Sequence, residues 1–186
     1  MSHSKIITIV GSRKAPYDVC KFMAEQSLYL RSRGVLVRTG DAFRGVDDAV
    51  CFPLKYTRDI SADEVVLSKT TENLEVYVAD DAKEDERSIA MAQKYHKAWD
   101  QLTDFAKLLH ARNCYQVAGL LLNNPSACVV CWTRDGVNTH VKRSKSTGGT
   151  GTAISIANMV YNIPVFNIRR GKDVRAYYAF VKEMFE

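Results

Sequence analysis

Short apolar runs alternate with amphipathic stretches along most of the chain, and this alternation constrains the fold more than any other feature. Five apolar runs lie at about residues 5–10, 35–39, 74–79, 127–132 and 164–168. Continuous apolar runs of this length are typical of parallel strands that are buried on both faces. The alternation therefore predicts an α/β fold, a single Rossmann-like domain over residues 1–186 with a mostly parallel sheet and helices on both faces.

The stretches between these runs predict the helices. The first covers about residues 16–33, faces Met23 and Leu30 inward and stops at Gly34, and a short helix begins near Val46. A long helical region at about 81–122 is broken near Trp99, and apolar residues at helical spacing predict two more helices near 153–160 and 174–185. Residues from about 52 to 73 show no clear period and are interpreted as an irregular excursion.

Composition narrows the class of protein. The chain has 186 residues, 46% of them hydrophobic, and a formal net charge of +5, which suits one domain with its own core. No apolar run is long enough for a membrane helix and the start shows no signal peptide, so we expect a cytoplasmic protein that does not contact the membrane. The five cysteines are scattered, and Cys128 and Cys131 fall on opposite faces of a predicted strand, a poor geometry for zinc.

Small and polar residues follow the predicted strands. In an open parallel sheet, ligands bind beyond the carboxyl ends of the strands. Glycines and helix N-termini offer backbone N–H groups to anions, while threonine and arginine side chains add donors. This pattern predicts a ligand that carries phosphate, bound by residues from four turns: Gly11, Ser12 and Arg13; Thr39, Gly40, Asp41, Arg44 and Asp47; Thr133; and Gly148, Gly149, Thr150, Gly151 and Thr152.

Two common nucleotide motifs are missing. The turn after the first strand, Gly11-Ser12-Arg13, has neither the G-x-G-x-x-G pattern of dinucleotide-binding folds nor the G-x-x-x-x-G-K-[S/T] loop. Hydride transfer with a nicotinamide cofactor and nucleoside triphosphate hydrolysis therefore lose support. No cofactor is expected beyond the bound nucleotide itself, and no metal site is predicted.

A second candidate feature lies in the helix after Trp99. At about 100° per residue, Leu102, Phe105, Leu109 and Leu120 form one apolar stripe. Three polar side chains project into the same stripe, with His110 at its margin: Arg112, Asn113 and Gln116. Polar groups on an inward face need partners, so they form either a buried structural network or part of a ligand pocket.

Taken together, these motifs resemble the SLOG superfamily, the Rossmann-like fold of the DNA-processing protein A and cytokinin-activating "lonely guy" families. The resemblance rests on Gly11-Ser12-Arg13, on Thr39-Gly40-Asp41-Ala42-x-x-Gly45-x-Asp47 and on Gly148-Gly149-Thr150-Gly151-Thr152. Small phage and bacterial DNA-processing-A-like proteins are more similar still, at His110-Ala-Arg112-Asn113-x-x-Gln116 and at residues 130–133. The resemblance covers most of the chain, least so the excursion at 52–73.

The resemblance implies a nucleotide in the cleft, with phosphate on the glycine turns and sugar near Thr39, Gly40 and Asp47. The chain departs from the cytokinin-activating pattern P-G-G-x-G-T-x-x-E, because Thr147 replaces the proline and Ser155 the glutamate. Glycosidic cleavage commonly needs a carboxylate near the ribose. Asp41, Asp47 and Asp48 are the alternatives for this role unless they cap the following helix, and Asp47 is taken as the candidate catalytic residue. Asp41 stands where the family has a second glycine, where it either repels phosphate or binds ribose hydroxyls.

Three functions follow from this reading. The first is binding of a nucleotide or nucleotide-derived ligand by a sensor, sequestering or regulatory protein. The second is an enzyme, a hydrolase that cleaves the N-glycosidic bond of nucleoside 5′-monophosphates. The third is single-stranded DNA binding as in DNA-processing protein A, to which Lys142-Arg143-x-Lys145 would contribute. We also expect a homodimer or higher homo-oligomer, paired through the tyrosine-rich last helix.

Overall fold

A computed structural model describes residues 5–57 and 72–186 of the chain. Its five strands form one parallel sheet: β1 (Ile6–Gly11), β2 (Leu36–Gly40), β3 (Leu74–Tyr77), β4 (Cys128–Trp132) and β5 (Val165–Asn167), in the order β3-β2-β1-β4-β5. The five predicted strands are thus confirmed. The sheet grows from β1 to β2 and β3 on one side and to β4 and β5 on the other, so the strand order reverses beside β1.

Seven α-helices are described, and they connect the strands. They are α1 (Tyr17–Ser32), α2 (Val46–Cys51), α3 (Leu54–Thr57), α4 (Glu86–Tyr95), α5 (Asp104–Ala118), α6 (Thr150–Met159) and α7 (Gly171–Phe185). The predicted break near Trp99 is a short 3₁₀ turn, Trp99–Gln101, between α4 and α5. Most of the predicted excursion at 52–73 lies outside the described residues; within it, Leu54–Thr57 forms α3.

Helices cover both faces of the sheet, as the alternation predicts. On one face, β1 residues Ile7 and Ile9 pack in a core with Met23 of α1, Val46 of α2 and Tyr177 of α7. The other face buries a second core, formed by apolar residues of β1, β4, α4, α5 and α6. Cys128 belongs to the first core and Cys131 to the second, so the two thiols do lie on opposite faces.

The apolar stripe predicted for α5 is wrong. Phe105 is 62% exposed, and Leu120, 54% exposed, lies beyond the helix because α5 ends at Gly119 with a φ of +74°. Instead, every residue of the second half of α5, 111–118, is buried. This half of the helix is enclosed by the sheet, α4 and α6, so it has no outer face on which polar residues would be expected. Arg112, Asn113 and Gln116 are therefore inside, as predicted, but for a different reason.

None of the helices in the described ranges is long and apolar enough to cross a membrane.

Candidate functional site

A polar cluster fills the space between the carboxyl end of β2 and the buried half of α5. Its members are Asp41 and Asp47, which follow β2, and Arg112, Asn113 and Gln116 of α5. Arg112 Nη1 donates to Asp41 Oδ1 at 2.6 Å, and Arg112 Nη2 lies 3.5 Å from Asp47 Oδ2. All but Asp41 are at least nine-tenths buried, and the Asp41 side chain is 43% exposed. We call these five residues the polar cluster.

Several polar atoms of this region lack a partner. Asp47 Oδ1, Arg112 Nε, Gln116 Nε2 and the neighbouring Thr39 Oγ1 are buried and make no hydrogen bond within the described residues. Each unsatisfied buried group costs about 1–3 kcal/mol of stability. Buried polar atoms are usually satisfied, so a concentration of exceptions at one strand end is typical of a functional site rather than of a structural network.

Gly40 allows the polar cluster to close around the end of β2. A Cβ atom at this position would lie 2.5 Å from Asp47 Oδ2, 2.5 Å from Gln116 Nε2 and 2.6 Å from Arg112 Cζ. All three contacts are shorter than Cβ atoms tolerate, so any other residue at this position would displace the side chains of the polar cluster from their present positions. Gly40 therefore has a packing role, in addition to its predicted role near a ligand.

Asp47 is electrostatically strained. Burial raises its pKa from 3.8 to about 6, and the Arg112 guanidinium and the backbone N–H groups of Gly11 and Ala42 only partly oppose this. Asp41 adds a second negative charge nearby, which also raises the pKa of Asp47. A carboxyl group that titrates near neutral pH beside a cleft is a candidate for hydrogen bonding to a ligand or for proton transfer.

The polar cluster is joined to the N-terminus of α6. Asn113 Nδ2 donates to the carbonyl oxygen of Gly149 at 3.0 Å, which ties α5 to the turn before α6. The N–H groups of Gly151 and Thr152 are used within this turn, donating to the carbonyl groups of Gly148 and Gly149. In the part of the chain that is described, the N–H groups of Gly148, Gly149 and Thr150 have no acceptor.

These three consecutive N–H groups form a suitable anion site, which we call the α6 cradle (Gly148, Gly149 and Thr150). Gly148 and Gly149 are exposed, and a Cβ atom on either would meet nothing within 4 Å. The positive end of the helix dipole adds to the attraction for a negative group. Of the glycine turns predicted to bind phosphate, this is the one whose backbone is open.

The rest of the predicted α6 segment faces away from this opening. Gly151 is covered by Arg143, whose Nε lies 3.0 Å from the position of a Cβ atom. Thr152 is fully buried, and its hydroxyl group bonds to His110 Nδ1 at 2.7 Å. Burial, and then repulsion from the neighbouring His96 when that ring is protonated, lower the pKa of His110 to about 4, so the His110 ring is neutral at pH 7. These residues support α6 rather than line the α6 cradle.

The turn after β1 has less open backbone than its glycine suggests. A Cβ atom on Gly11 would lie 2.5 Å from Val46 Cγ2, so this glycine makes room for α2. Ser12 continues the sheet through its N–H group, which donates to Trp132 O at 3.2 Å. Arg13 and Arg44 are exposed at the same end of the molecule, and both remain available to an anion.

Thr133 is buried, and its hydroxyl group is fully engaged. It donates to Asp135 Oδ1 at 2.8 Å and accepts from Asn167 Nδ2 at 2.7 Å. Asp135 also accepts hydrogen bonds from the hydroxyl groups of Ser144 and Thr147. Thr133 therefore holds the loop after β4 in place, and its predicted contact with a ligand is not favoured by this geometry.

Sequence reasoning missed the group that surrounds Ser155. Its hydroxyl group donates to Gly151 O at 3.0 Å, accepts from the Arg143 guanidinium, and bonds to His140 Nδ1 at 2.8 Å. With its hydrogen-bonding capacity used, Ser155 does not replace the glutamate that the cytokinin-activating pattern has at this position. No spacing in the sequence links residues 140, 143 and 155, and only the packing of the loop against α6 does so.

Within the described residues, no group of three or more histidine, cysteine, aspartate or glutamate side chains is arranged to hold a metal ion. The chain was compared with protein-family models, curated proteins and solved structures, and none of them matches it significantly. The resemblance to the SLOG superfamily stays a prediction that rests on the motifs quoted above.

Proposed function

We propose that this protein binds a nucleotide or nucleotide-derived ligand at the carboxyl ends of the strands, between the polar cluster and the α6 cradle. The observation that carries this proposal is the set of unpartnered buried atoms of Asp47, Arg112 and Gln116 beside the α6 cradle. The set combines an acceptor with two donors, which suits a ligand that has hydroxyl groups and a base edge as well as an anion.

The ligand's phosphate is assigned to the α6 cradle. Three consecutive free N–H groups at a helix N-terminus favour a phosphoryl group over a neutral one. Arg13 and Arg44, both exposed at this end of the sheet, add positive charge near the opening. The exposed ring of Phe43 lies beside them, with the Arg44 guanidinium 4.7 Å from its centroid, and supplies a surface on which a base stacks.

The ligand's sugar is assigned to the polar cluster. A buried carboxylate beside a guanidinium is suited to accepting hydrogen bonds from ribose hydroxyl groups, and Asp47 has a free oxygen for this purpose. Asp41 already binds Arg112 from the solvent side at 2.6 Å. A ligand that enters the cluster therefore displaces the Asp41 carboxylate from Arg112 or binds across the pair.

The first experiment is to purify the protein natively, denature it and identify the released small molecules by mass spectrometry. We expect a nucleotide at close to one per chain. If none is recovered, a panel of nucleoside mono-, di- and triphosphates is titrated into the protein by calorimetry. Asp47→Asn should abolish the binding found, whereas Asp80→Asn, the same change at an exposed position, should not alter it. Absence of binding to the whole panel would contradict the proposal.

A second candidate function is favoured by Asp47 in particular. A carboxyl group whose pKa burial raises to about 6 can exchange a proton at neutral pH, as cleavage of an N-glycosidic bond requires. In that reaction Asp47 would take a proton from water as it attacks C1′ of the ribose, the base would leave with the electrons of the C1′–N bond, and Asp47 would then pass the proton to the base. The products would be the free base and ribose 5-phosphate.

The two candidates differ in turnover. Nucleoside 5′-monophosphates incubated with the protein for many hours should release free base, detected by chromatography, if it is a glycosidase, and Asp47→Asn should stop the release. Intact nucleotides after long incubation would leave binding alone. The third hypothesis, single-stranded DNA, gains no specific support, because Arg143 of the basic loop is turned inward to Tyr95 O at 3.0 Å.

A further inference from the structure

A basic cavity of about 350 Å³ lies at the carboxyl ends of β4 and β5, beyond the polar cluster and the α6 cradle. It is lined by the loop after β4, the next 3₁₀ turn and the turn between β5 and α7: Asp135, Gly136, Val137, Asn138, Lys142, Arg169 and Arg170. Its volume is at the lower end of the roughly 300–1,000 Å³ typical of small-molecule sites. We call it the basic cavity.

We propose that the basic cavity binds a second phosphoryl group of the same nucleotide ligand. The inference rests on the proposed function and deepens it, because it restricts the ligand to nucleotides that carry two separated phosphoryl groups. Nucleoside 3′,5′-bisphosphates and dinucleotides have this chemistry, whereas a simple nucleoside monophosphate does not.

The charge of the lining favours an anion. Three of the seven lining residues are cations and one is a carboxylate. Arg169 and Lys142 are exposed and form no ion pair with any residue in the ranges 5–57 and 72–186. Arg170 is positioned by two partners, because its Nη1 donates to Asn138 Oδ1 at 2.7 Å and its Nε lies 3.7 Å from Asp173 Oδ1.

The single carboxylate of the lining is already satisfied. Asp135 accepts hydrogen bonds from the hydroxyl groups of Thr133, Ser144 and Thr147 at 2.6–2.8 Å. Burial raises the pKa of Asp135, but these hydroxyl groups more than offset it, so the net pKa is lowered. Asp135 therefore stays negatively charged, but its oxygens are held by its own loop and not by a cation of the lining, so within the described residues Lys142 and Arg169 have no ion-pair partner and are available to an external anion.

Asp135 also connects the basic cavity to the α6 cradle. Its carboxylate lines the cavity and binds the Thr147 hydroxyl group at 2.6 Å. Thr147 directly precedes Gly148, the first residue of the α6 cradle. One pair of hydrogen-bonded side chains, Asp135 and Thr147, therefore joins the two anion sites, and we assign one phosphoryl group of the same ligand to each.

Gly136 shapes the floor of the cavity. Its φ of +68° is a conformation that other residues rarely adopt. A Cβ atom here would contact the aliphatic stems of both arginines, 3.4 Å from Arg169 Cδ and 3.6 Å from Arg170 Cγ. These are ordinary contact distances, so glycine is favoured here by its φ and not by a lack of space.

The test compares ligands that differ by one phosphoryl group. AMP, GMP, CMP and UMP are titrated into the full chain by calorimetry, and the tightest is compared with its 3′,5′-bisphosphate. We expect the bisphosphate to bind about tenfold more tightly, as one charge-assisted contact provides. The variant with both Lys142→Ala and Arg169→Ala should lose this gain and keep its affinity for the monophosphate within about twofold. The control is the variant with both Lys21→Ala and Lys182→Ala, which also removes two positive charges, from exposed positions in α1 and near the end of α7.

The outcomes separate this proposal from the proposed function. Equal affinity for both nucleotides in the unmodified protein, or an equal loss for both in the double variant, would overturn the second subsite. If no nucleotide binds, the proposed function fails, and inorganic phosphate is then titrated alone. Phosphate binding that the double variant loses would still support the basic cavity as an anion site, and no phosphate binding would overturn it.

Discussion

Asp47 is a residue whose charge lowers stability in the free protein. Burial raises its pKa to about 6, so the native protein holds the Asp47 proton more tightly than the unfolded chain does. The stability that this proton provides is fully present below the unfolded value of 3.8 and is lost as the pH rises through about 6. We expect Asp47→Asn to increase the free energy of unfolding at pH 7 by about 1–3 kcal/mol while it abolishes ligand binding.

Denaturant unfolding at a series of pH values measures this effect, and the difference from the unmodified protein should vanish below about pH 4. The neighbouring residue supplies the control. Asp48 is equally buried, but it accepts hydrogen bonds from Tyr56 Oη and from Lys55 Nζ at 2.7 Å. Asp48→Asn should therefore destabilise the protein by about 1–2 kcal/mol. If Asp47→Asn is equally destabilising, the strain that we assign to Asp47 is wrong.

Asp41 occupies a position that an anionic ligand would use. Its half-exposed carboxylate binds Arg112 Nη1 at 2.6 Å and so competes with any phosphoryl or carboxylate group that approaches this guanidinium. We expect Asp41→Ala to raise the affinity for inorganic phosphate about fivefold, the equivalent of roughly 1 kcal/mol for a partly exposed ion pair. Titration calorimetry at low salt measures this. A weaker affinity would instead make Asp41 a direct contact of the ligand.

At the scale of elements, the two glycines at the N-terminus of α6 are expected to affect stability and ligand binding differently. Gly148 has a φ of +66°, whereas Gly149 has a φ of −59° and open space around it. Gly148→Ala should therefore cost about 1 kcal/mol of stability, because alanine disfavours the left-handed region. Gly149→Ala should leave stability unchanged or raise it by about 0.5 kcal/mol.

The same pair of variants tests the α6 cradle. A methyl group on Gly149 projects into the space in front of the free N–H groups, so Gly149→Ala should weaken nucleotide binding about tenfold or more without loss of stability. Thermal unfolding and calorimetric titration of both variants provide the two readouts. Undiminished binding by Gly149→Ala would show that phosphate does not lie on this turn.

The elements themselves are predictable from sequence where local pattern and global packing agree. Apolar runs of five or six residues identify all five strands, and the pattern is clearest for β1 and β4, which are almost completely buried and contain few polar residues. The second half of α5 is different. Its burial on all sides depends on three neighbouring layers, so the periodicity that placed Phe105 and Leu120 inward was misleading.

The roles of the glycines at the candidate site are also only partly predictable from the sequence. Composition at strand ends predicts where a ligand would bind. It does not distinguish a glycine whose N–H group is accessible to a ligand from a glycine that makes room for a neighbouring side chain. Gly148 and Gly149 face open space, whereas Gly11 makes room for Val46 and Gly40 for the side chains of the polar cluster. The basic cavity escapes prediction altogether, since its residues come from two separate loops that only the order of β4 and β5 brings together.

At the scale of the whole molecule, two buried groups give opposite pH dependences. His110 is held neutral between α5 and α6, and burial lowers its pKa from 6.5 to about 4. As the pH falls, His110 is protonated in the unfolded chain before it is protonated in the native protein. The stability contributed by the neutral ring is therefore fully present above about pH 6.5 and is lost towards pH 4. Asp47 acts in the reverse direction over nearly the same range, losing its contribution as the pH rises through about 6.

Because the two effects oppose each other, the unmodified protein should show a nearly flat stability between about pH 4.5 and 6.5, and single variants should reveal each slope. His110→Asn keeps a polar atom near Thr152 Oγ1 but does not titrate, so its melting temperature should fall as the pH rises over this range, following Asp47. Asp47→Asn should show the opposite slope, following His110, and the variant with both changes should keep only the slope due to His96 and His140, whose pKa values burial also lowers from 6.5. Thermal unfolding of the four proteins across this range is the measurement. If the slopes of the two single variants equal that of the unmodified protein, neither buried group controls the pH dependence of this fold.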